Sequence, residues 1–342
     1  MDVTIRGAGI LGLSIAWQCA LRGARVQVID PNGIGAGSSG GIVGALAPHV
    51  PENWNNKKEF QFQSLIAAEP FWAQVEEVSG MPSGYGRLGR IQPITDENQL
   101  ALARRRADNA KMLWQNEAEW CVIDKAPDFA PASTTGFWIK DTLSARLNPR
   151  LACDALAEAL RLKGVSFAGH GIDQGKSVWT TGAEDLFHIS KTLQRPFGIG
   201  VKGQAALFDL DRRDCAQVFA KTMHFIPHAD GTLAVGSTSE RNYDDGTSTD
   251  EKLHKLITVA QEVLRDLKTA TVIQKWAGVR PRSKSRAPVL GTHPLHPNAY
   301  IANGGFKIGL GMAPKIAEVM SDLILDGADN IPEDFRPENC LT

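Results

Sequence analysis

The sequence predicts an α/β fold of about two domains, the first of them Rossmann-like, on three observations. A complete β-α-β pattern carrying G-x-G-x-x-G opens the chain, helix and strand patterns alternate again beyond residue 148, and 342 residues exceeds the roughly 150 of one domain. A chain of that length buries a large core without staples.

Asp2–Arg6 reads as a short strand, and Gly7-Ala8-Gly9-Ile10-Leu11-Gly12 follows at once. A helical pattern then runs through Leu13, Ile15, Ala16, Cys19, Ala20 and Leu21, with Gly23 as its left-handed cap. Val26–Asp30 is the second strand and ends on an acid. In such a unit Gly7 permits the tight turn, Gly9 lets the backbone approach a pyrophosphate, and Gly12 lets the helix pack close on the strand. The helix N-terminus, with Ile10 and Leu11 in its first turn, offers unpaired N–H groups and partial positive charge to phosphates. Asp30, 18 positions after Gly12, is placed to accept hydrogen bonds from adenosine ribose hydroxyls and disfavours a 2′-phosphate.

The segment Gly33–Ala45 separates a nicotinamide cofactor from a flavin. It is long, rich in small residues and follows the second strand directly, where a nicotinamide-binding unit enters its next helix. A flavin dinucleotide lies extended and needs a second backbone-lined stretch, for which Ser38, Ser39, Gly40, Gly41 and Gly44 are the candidates. Ile42, Val43 and Ala45 alternate with glycines, which suits close apolar contact better than a solvated linker.

With 37 Lys+Arg against 38 Asp+Glu the net charge is −1, so no global field draws nucleic acid or a membrane surface. Arg104-Arg105-Arg106 reads as the solvated face of an amphipathic helix. Five scattered cysteines without a C-x-x-C pair fit reduced thiols in a cytoplasmic protein and offer no metal site. The apolar run Ile10–Leu21 is interrupted by Gln18, is too short to span a bilayer, and lacks the flanks of a signal peptide.

Further along stand Trp276-Ala277-Gly278-Val279-Arg280-Pro281, Pro288–Gly291 and Tyr300-Ile301-Ala302-Asn303-Gly304-Gly305-Phe306-Lys307-Ile308-Gly309-Leu310-Gly311-Met312-Ala313-Pro314. Between the ends lie Phe225-Ile226-Pro227, Asp230-Gly231 and Leu233–Ser237. On these residues the chain resembles, over nearly its whole length, the D-amino-acid oxidase superfamily of FAD-dependent oxidoreductases, and within it the glycine-oxidase and sarcosine-oxidase branch. The resemblance implies a GR2-type flavoprotein: a Rossmann-like FAD-binding domain with a second, substrate domain built on a mixed, largely antiparallel sheet. It divides the chain into an FAD domain (1–50, 143–190, 275–330), a substrate domain (51–142, 191–274) and a C-terminal tail (331–342). The local patterns agree. Asn148-Pro149 opens a helix to Leu160, Val165–Phe167 is a third buried strand, Ser177–Thr181 a further parallel strand turning at Gly182, and Gly203–Phe208 a strand of the substrate sheet. Thr249–Leu267 carries a helical apolar stripe.

The resemblance also implies site roles. Arg280 would grip a substrate carboxylate with its guanidinium fork. The turn Gly304–Gly311, with Gly304, Gly305, Phe306, Lys307, Ile308 and Gly309, would aim a helix N-terminus at the flavin pyrimidine edge. Lys307 stands where glycine oxidases carry a second arginine, and Phe225 where they carry a tyrosine, so a bulkier, more apolar amine or amino acid fits the altered pair. The connection His170–Gly175 is shorter than in relatives and leaves FAD more exposed. His49, His188, His224 and His228 show no metal-ligand spacing. No cysteine lies between Arg280 and Gly311, so FAD is expected to be non-covalent. The implied reaction oxidises a small amine or amino acid, with dioxygen as electron acceptor and hydrogen peroxide as product. A dehydrogenase using a quinone or carrier protein, and a non-catalytic FAD-binding accessory module, are the competing readings. The sequence leaves a homo-oligomer open.

Overall fold

A computed structural model describes residues 1–341, and the first strand forms where the sequence places it, at Val3–Arg6. Its β-branched Val3 and Ile5 are fully buried on one face, and its polar Thr4 and Arg6 point to the other. It is central to a six-stranded sheet in the order Val289–Thr292, Ala299–Asn303, Lys176–Trp179, Val3–Arg6, Val26–Ile29, Ser166–Ala168. All neighbours are parallel except the antiparallel first pair. The helix Ile10–Leu21 packs between the helices Pro149–Leu162 and Gly309–Asp326, burying Leu13, Ile15, Trp17 and Cys19 completely. Arg22 then joins it to the last of these through Asp322 at 2.9 Å.

The second sheet has eight strands, in the order Thr271–Ser283, Gly198–Asp209, Thr232–Gly236, Met223–Pro227, Gln217–Ala220, Arg90–Pro93, Trp138–Asp141, Trp120–Ile123. Every pairing is antiparallel except Gln217–Ala220 with Arg90–Pro93. The mixed, largely antiparallel sheet is therefore present. Its outermost long strand runs unbroken across residue 275, the expected start of the last FAD-domain segment, and pairs along its length with Gly198–Asp209. Arg280 thus projects from the larger sheet.

Other local expectations are modified. Ser166–Ala168 is not a buried strand but the edge of the sheet, with Ser166 and Ala168 exposed and Phe167 packed against the core. The helix expected over 249–267 spans Glu251–Val263; Leu264 is extended and a 3₁₀ turn follows at Arg265–Lys268. Leu264 and Leu267 stay buried, so the apolar stripe survives the break. Arg104 and Arg105 are solvated as read, whereas Arg106 pairs with Glu52. Residues 331–341 are not loose: Phe335 is buried edge-on against Phe60, with centroids 5.0 Å apart, and Cys340 is buried too. Position 342 lies outside the described residues.

Candidate active site

The turn Gly7–Gly12 is built as the sequence requires. Gly7 has φ +106°, and a Cβ at Gly12 would lie 2.0 Å from the Gly7 carbonyl oxygen and 2.5 Å from Thr180 Oγ1. The helix begins with Gly9 as an extended N-cap that offers no side-chain bond, so its first N–H groups are left for other acceptors. Ser39 Oγ takes one, accepting from Ile10 N–H at 3.0 Å. Asp30 closes the turn from the second strand, accepting from Ala8 N–H at 2.7 Å and Asn32 N–H at 2.9 Å.

Two cavities meet at this turn. One, about 390 Å³, is lined by Ala8, Asp30, Gly33, Ile34 and Phe167 among others. The other, about 410 Å³, starts at Gly9, Ile10, Leu11, Ser38 and Ser39 and runs between the two sheets to Trp276, Arg280, Phe306 and Lys307. An elongated dinucleotide fits this layout: a carboxylate at one end, an uncapped helix N-terminus in the middle and an apolar slot at the other end. Of the expected cofactor contacts, Gly9, Ile10, Leu11, Ser38, Ser39, Gly182, Gly305, Phe306, Lys307 and Gly309 line the larger cavity. Gly304 and Ile308 line a side pocket next to it. Gly7, Gly12, Gly40, Gly41 and Gly44 do not line the larger cavity; four of them serve close packing, Gly40 against Gly35 and Arg150 and Gly44 against Leu147.

Arg280 enters the larger cavity from the end strand of the second sheet, 9% exposed. Its Nη1 donates to Ser237 Oγ at 2.7 Å and its Nη2 to the Thr238 and Lys202 carbonyl oxygens at 2.7 and 3.3 Å. Nε has no partner, and among the described residues no carboxylate forms an ion pair with the guanidinium. Burial pulls its pKa down to about 10, opposed by the more distant Glu240. The guanidinium is oriented by neutral acceptors, with no acid in contact among the described residues. Phe306, the centre of three cations, lies 5.5 Å from Arg280, 5.2 Å from Arg282 and 5.8 Å from Lys307. Burial, then the charges of Arg280 and Arg282, hold the Lys307 ammonium below its usual range.

Phe225 requires correction. It is fully buried in the core of the second sheet, opposite Val218 and Val235, and does not line the cavity. Side chains alternate along a strand, so the cavity-facing residue is its neighbour His224, paired with Phe219 at a ring distance of 4.7 Å. Trp276, Phe219 and Ser237 also line the site; Trp276 and Ser237 lie in stretches that carry the resemblance, which assigns them no role, and Phe219 lies outside them. His224 Nδ1 is buried without a partner, and burial, then Arg90 and Lys307, lower its pKa to about 3. It is neutral at physiological pH. Because the unfolded chain takes up that proton near pH 6.5 and the folded one near pH 3, stability is lost as pH falls through this window. The slope is at most about 1.4 kcal/mol per pH unit, reduced by solvent in the cavity. In denaturant titrations from pH 7 to pH 4, His224→Gln is therefore expected to lose less stability than the unsubstituted chain; parallel curves would contradict the burial of a neutral imidazole.

The short connection His170–Gly175 is tied down on the polar face of the first sheet. Asp173 pairs with Arg6 at 2.7 Å, and Thr4 Oγ1 donates to the Gln174 carbonyl oxygen at 2.8 Å. No group of histidines, cysteines and carboxylates among the described residues could hold a metal, and no helix among them is long and apolar enough to cross a membrane.

Residues 2–323 match the family described as "DAO: FAD dependent oxidoreductase". The chain belongs to this family. As a family member it is an FAD-dependent oxidoreductase. It is 28% identical to a glycine oxidase of Pseudomonas putida over 382 residues, covering 99% of each chain. Its fold is similar to that of a glycine oxidase from Geobacillus kaustophilus, with TM-score 0.85, 19% identity and 98% and 97% of the two chains covered. An iminodiacetate oxidase from Chelativorans superposes with TM-score 0.82 at 20% identity, covering 98% and 99%.

Proposed function

We propose that this flavoprotein oxidises a small amine or amino acid to an imine, which water then hydrolyses to an oxo compound and free amine or ammonia. The observation that carries the reading is Arg280: a buried guanidinium without an acid partner, lining the same cavity as the dinucleotide turn. When bound, FAD supplies the acceptor for the hydride lost from the substrate α-carbon and passes the electron pair to dioxygen, giving hydrogen peroxide.

The chain's own groups orient and shield. Arg280 holds the carboxylate, and its bonds to Ser237, Thr238 and Lys202 fix the direction of the guanidinium before substrate arrives. Phe219, Trp276 and Phe306 wall the slot with apolar surface that excludes water. The positive charges of Arg280 and Lys307 beside the uncharged His224 favour a neutral substrate amine, whose nitrogen lone pair assists loss of the hydride. The uncapped start of the helix Gly309–Asp326 adds fixed positive potential at the same end. The resemblance to glycine oxidases by name, at full length, supports an amino-acid substrate. A cytoplasmic location goes with five free thiols.

Anaerobic mixing with glycine, sarcosine, D-amino acids, proline and hydroxy acids tests the reading. At least one amine is expected to bleach the flavin, and readmitted air to restore the colour with stoichiometric peroxide. A fully oxidised spectrum with every amine would turn the assignment toward a non-catalytic flavin module. No cysteine lines the larger cavity, so acid precipitation is expected to release all of the yellow colour; flavin retained in the pellet would mean a covalent link.

A further inference from the structure

Basic side chains line the site beyond Arg280. A pocket of about 200 Å³ adjoins the larger cavity and shares Ala45, Phe219, His224 and Lys307 with it. Arg90 lines only the smaller part and Arg280 only the larger. Arg90 is 6% exposed; its Nε donates to Asp141 Oδ2 at 2.9 Å, and neither Nη has a hydrogen-bond partner among the described residues. Asp141, fully buried, is further occupied by the Ser144 N–H at 2.8 Å. Lys307, shared by both parts, makes no hydrogen bond or ion pair among the described residues.

No aspartate or glutamate lines either part. The two histidines on the smaller part, His49 and His224, are both held neutral by burial. Arg280 and Lys307 therefore face this space without an acid partner among the described residues, while Arg90 is paired through Nε with the buried Asp141. A lone charge in such a place is costly unless a ligand completes it. A monocarboxylate on Arg280 alone would leave the Lys307 ammonium and the two Nη groups of Arg90 without an acceptor among the described residues.

We infer that the substrate is an amine carrying two carboxylates, one held by Arg280 and the second by Arg90 and Lys307 in the adjoining pocket. This rests on the amine-oxidising reading above. It specifies the substrate class and makes Arg90 and Lys307 specificity-determining residues.

Two unreactive acids of equal chain length, glutarate and valerate, differ only in the second carboxylate and serve as probes. The FAD-loaded protein is titrated with each while the flavin absorbance is followed, and the melting temperature is read in parallel with and without added FAD. Glutarate is expected to bind at least ~10-fold more tightly than valerate, the scale of one charge-assisted hydrogen bond. Lys307→Met is expected to remove most of that preference, read as the ratio of the two binding constants. Arg90→Lys, which keeps a charge beside Asp141, should weaken glutarate selectively. Equal binding of the two acids, or a preference that survives Lys307→Met, overturns the inference. The melting shifts are read whether or not flavin is present. Failure of the cofactor or oxidase assignment, seen as missing flavin or no bleaching by any amine, is thereby distinguished from failure of the second anion site.

Discussion

Arg280→Lys is expected to raise the KM for a carboxylate-bearing substrate by roughly 10- to 100-fold with little change in FAD content, because a point charge replaces a fork whose bonds are worth about 1.5–3 kcal/mol. The native guanidinium satisfies three protein oxygens, two from Nη2 and one from Nη1, which leaves Nη1 a second N–H. A lysine has three donors on one atom and cannot serve those oxygens and a ligand in the same geometry. Its charge nevertheless remains in the cavity, so encounter with an anion is retained and only the grip is lost. Arg280→Met removes both. It leaves the Thr238 and Lys202 carbonyl oxygens without their side-chain donor, at about 1–3 kcal/mol for each one that stays buried and unpaired. Steady-state kinetics, flavin content and a denaturant midpoint, measured on both variants, separate these effects. An unchanged KM in Arg280→Lys, or loss of flavin in step with loss of substrate binding, would make the arginine a structural residue.

What the sequence revealed of this site was what neighbours along the chain determine. The turn Gly7–Gly12 and its partner Asp30 are legible because the glycines, the helix and the strand lie within 30 residues and each has a local steric reason. Arg280 was reached through resemblance, since nothing local distinguishes it from Arg282, two residues on in the same strand. Phe225 was misassigned by one position. A strand reverses its faces at every residue, so an error of one exchanges cavity for core, and the polar His224 next to it was the available signal. Arg90 was invisible because its place at the cavity comes from the one parallel pairing of the larger sheet, which joins segments about 127 residues apart. The break at Leu264 escaped a pattern argument for a related reason: the extended residue keeps the apolar stripe on the core, so burial is preserved while helical hydrogen bonding is not. Gly44 combines both limits. The sequence assigned it to the cofactor by its company of small residues, whereas its actual constraint lies a hundred residues away.

Gly44→Ala is expected to destabilise the protein by at least about 3 kcal/mol, the upper end of ordinary overpacking, and to lower FAD retention with it. A Cβ on Gly44 would stand 1.5 Å from the Leu147 carbonyl oxygen and 2.6 Å from its carbon, and backbone cannot rotate away as a side chain can. Leu147 is already tied to this residue, its N–H donating to the Gly44 carbonyl oxygen at 2.9 Å. The same contact is continued by the short antiparallel pair Ala45–Leu46 with Ala145–Arg146. Separation of the two segments would therefore move the loop carrying Ser38 and Ser39 relative to the helix Pro149–Leu162, and with it the hydroxyl that meets Ile10 N–H. Gly37, seven residues earlier in the same loop, is the control: a Cβ there meets nothing within 4 Å, so Gly37→Ala should stay within about 0.5 kcal/mol. Denaturant midpoints and flavin-to-protein ratios of the two variants decide the matter. If both alanines are tolerated alike, the glycine-rich segment is a compliant linker and not a fixed wall of the cofactor site.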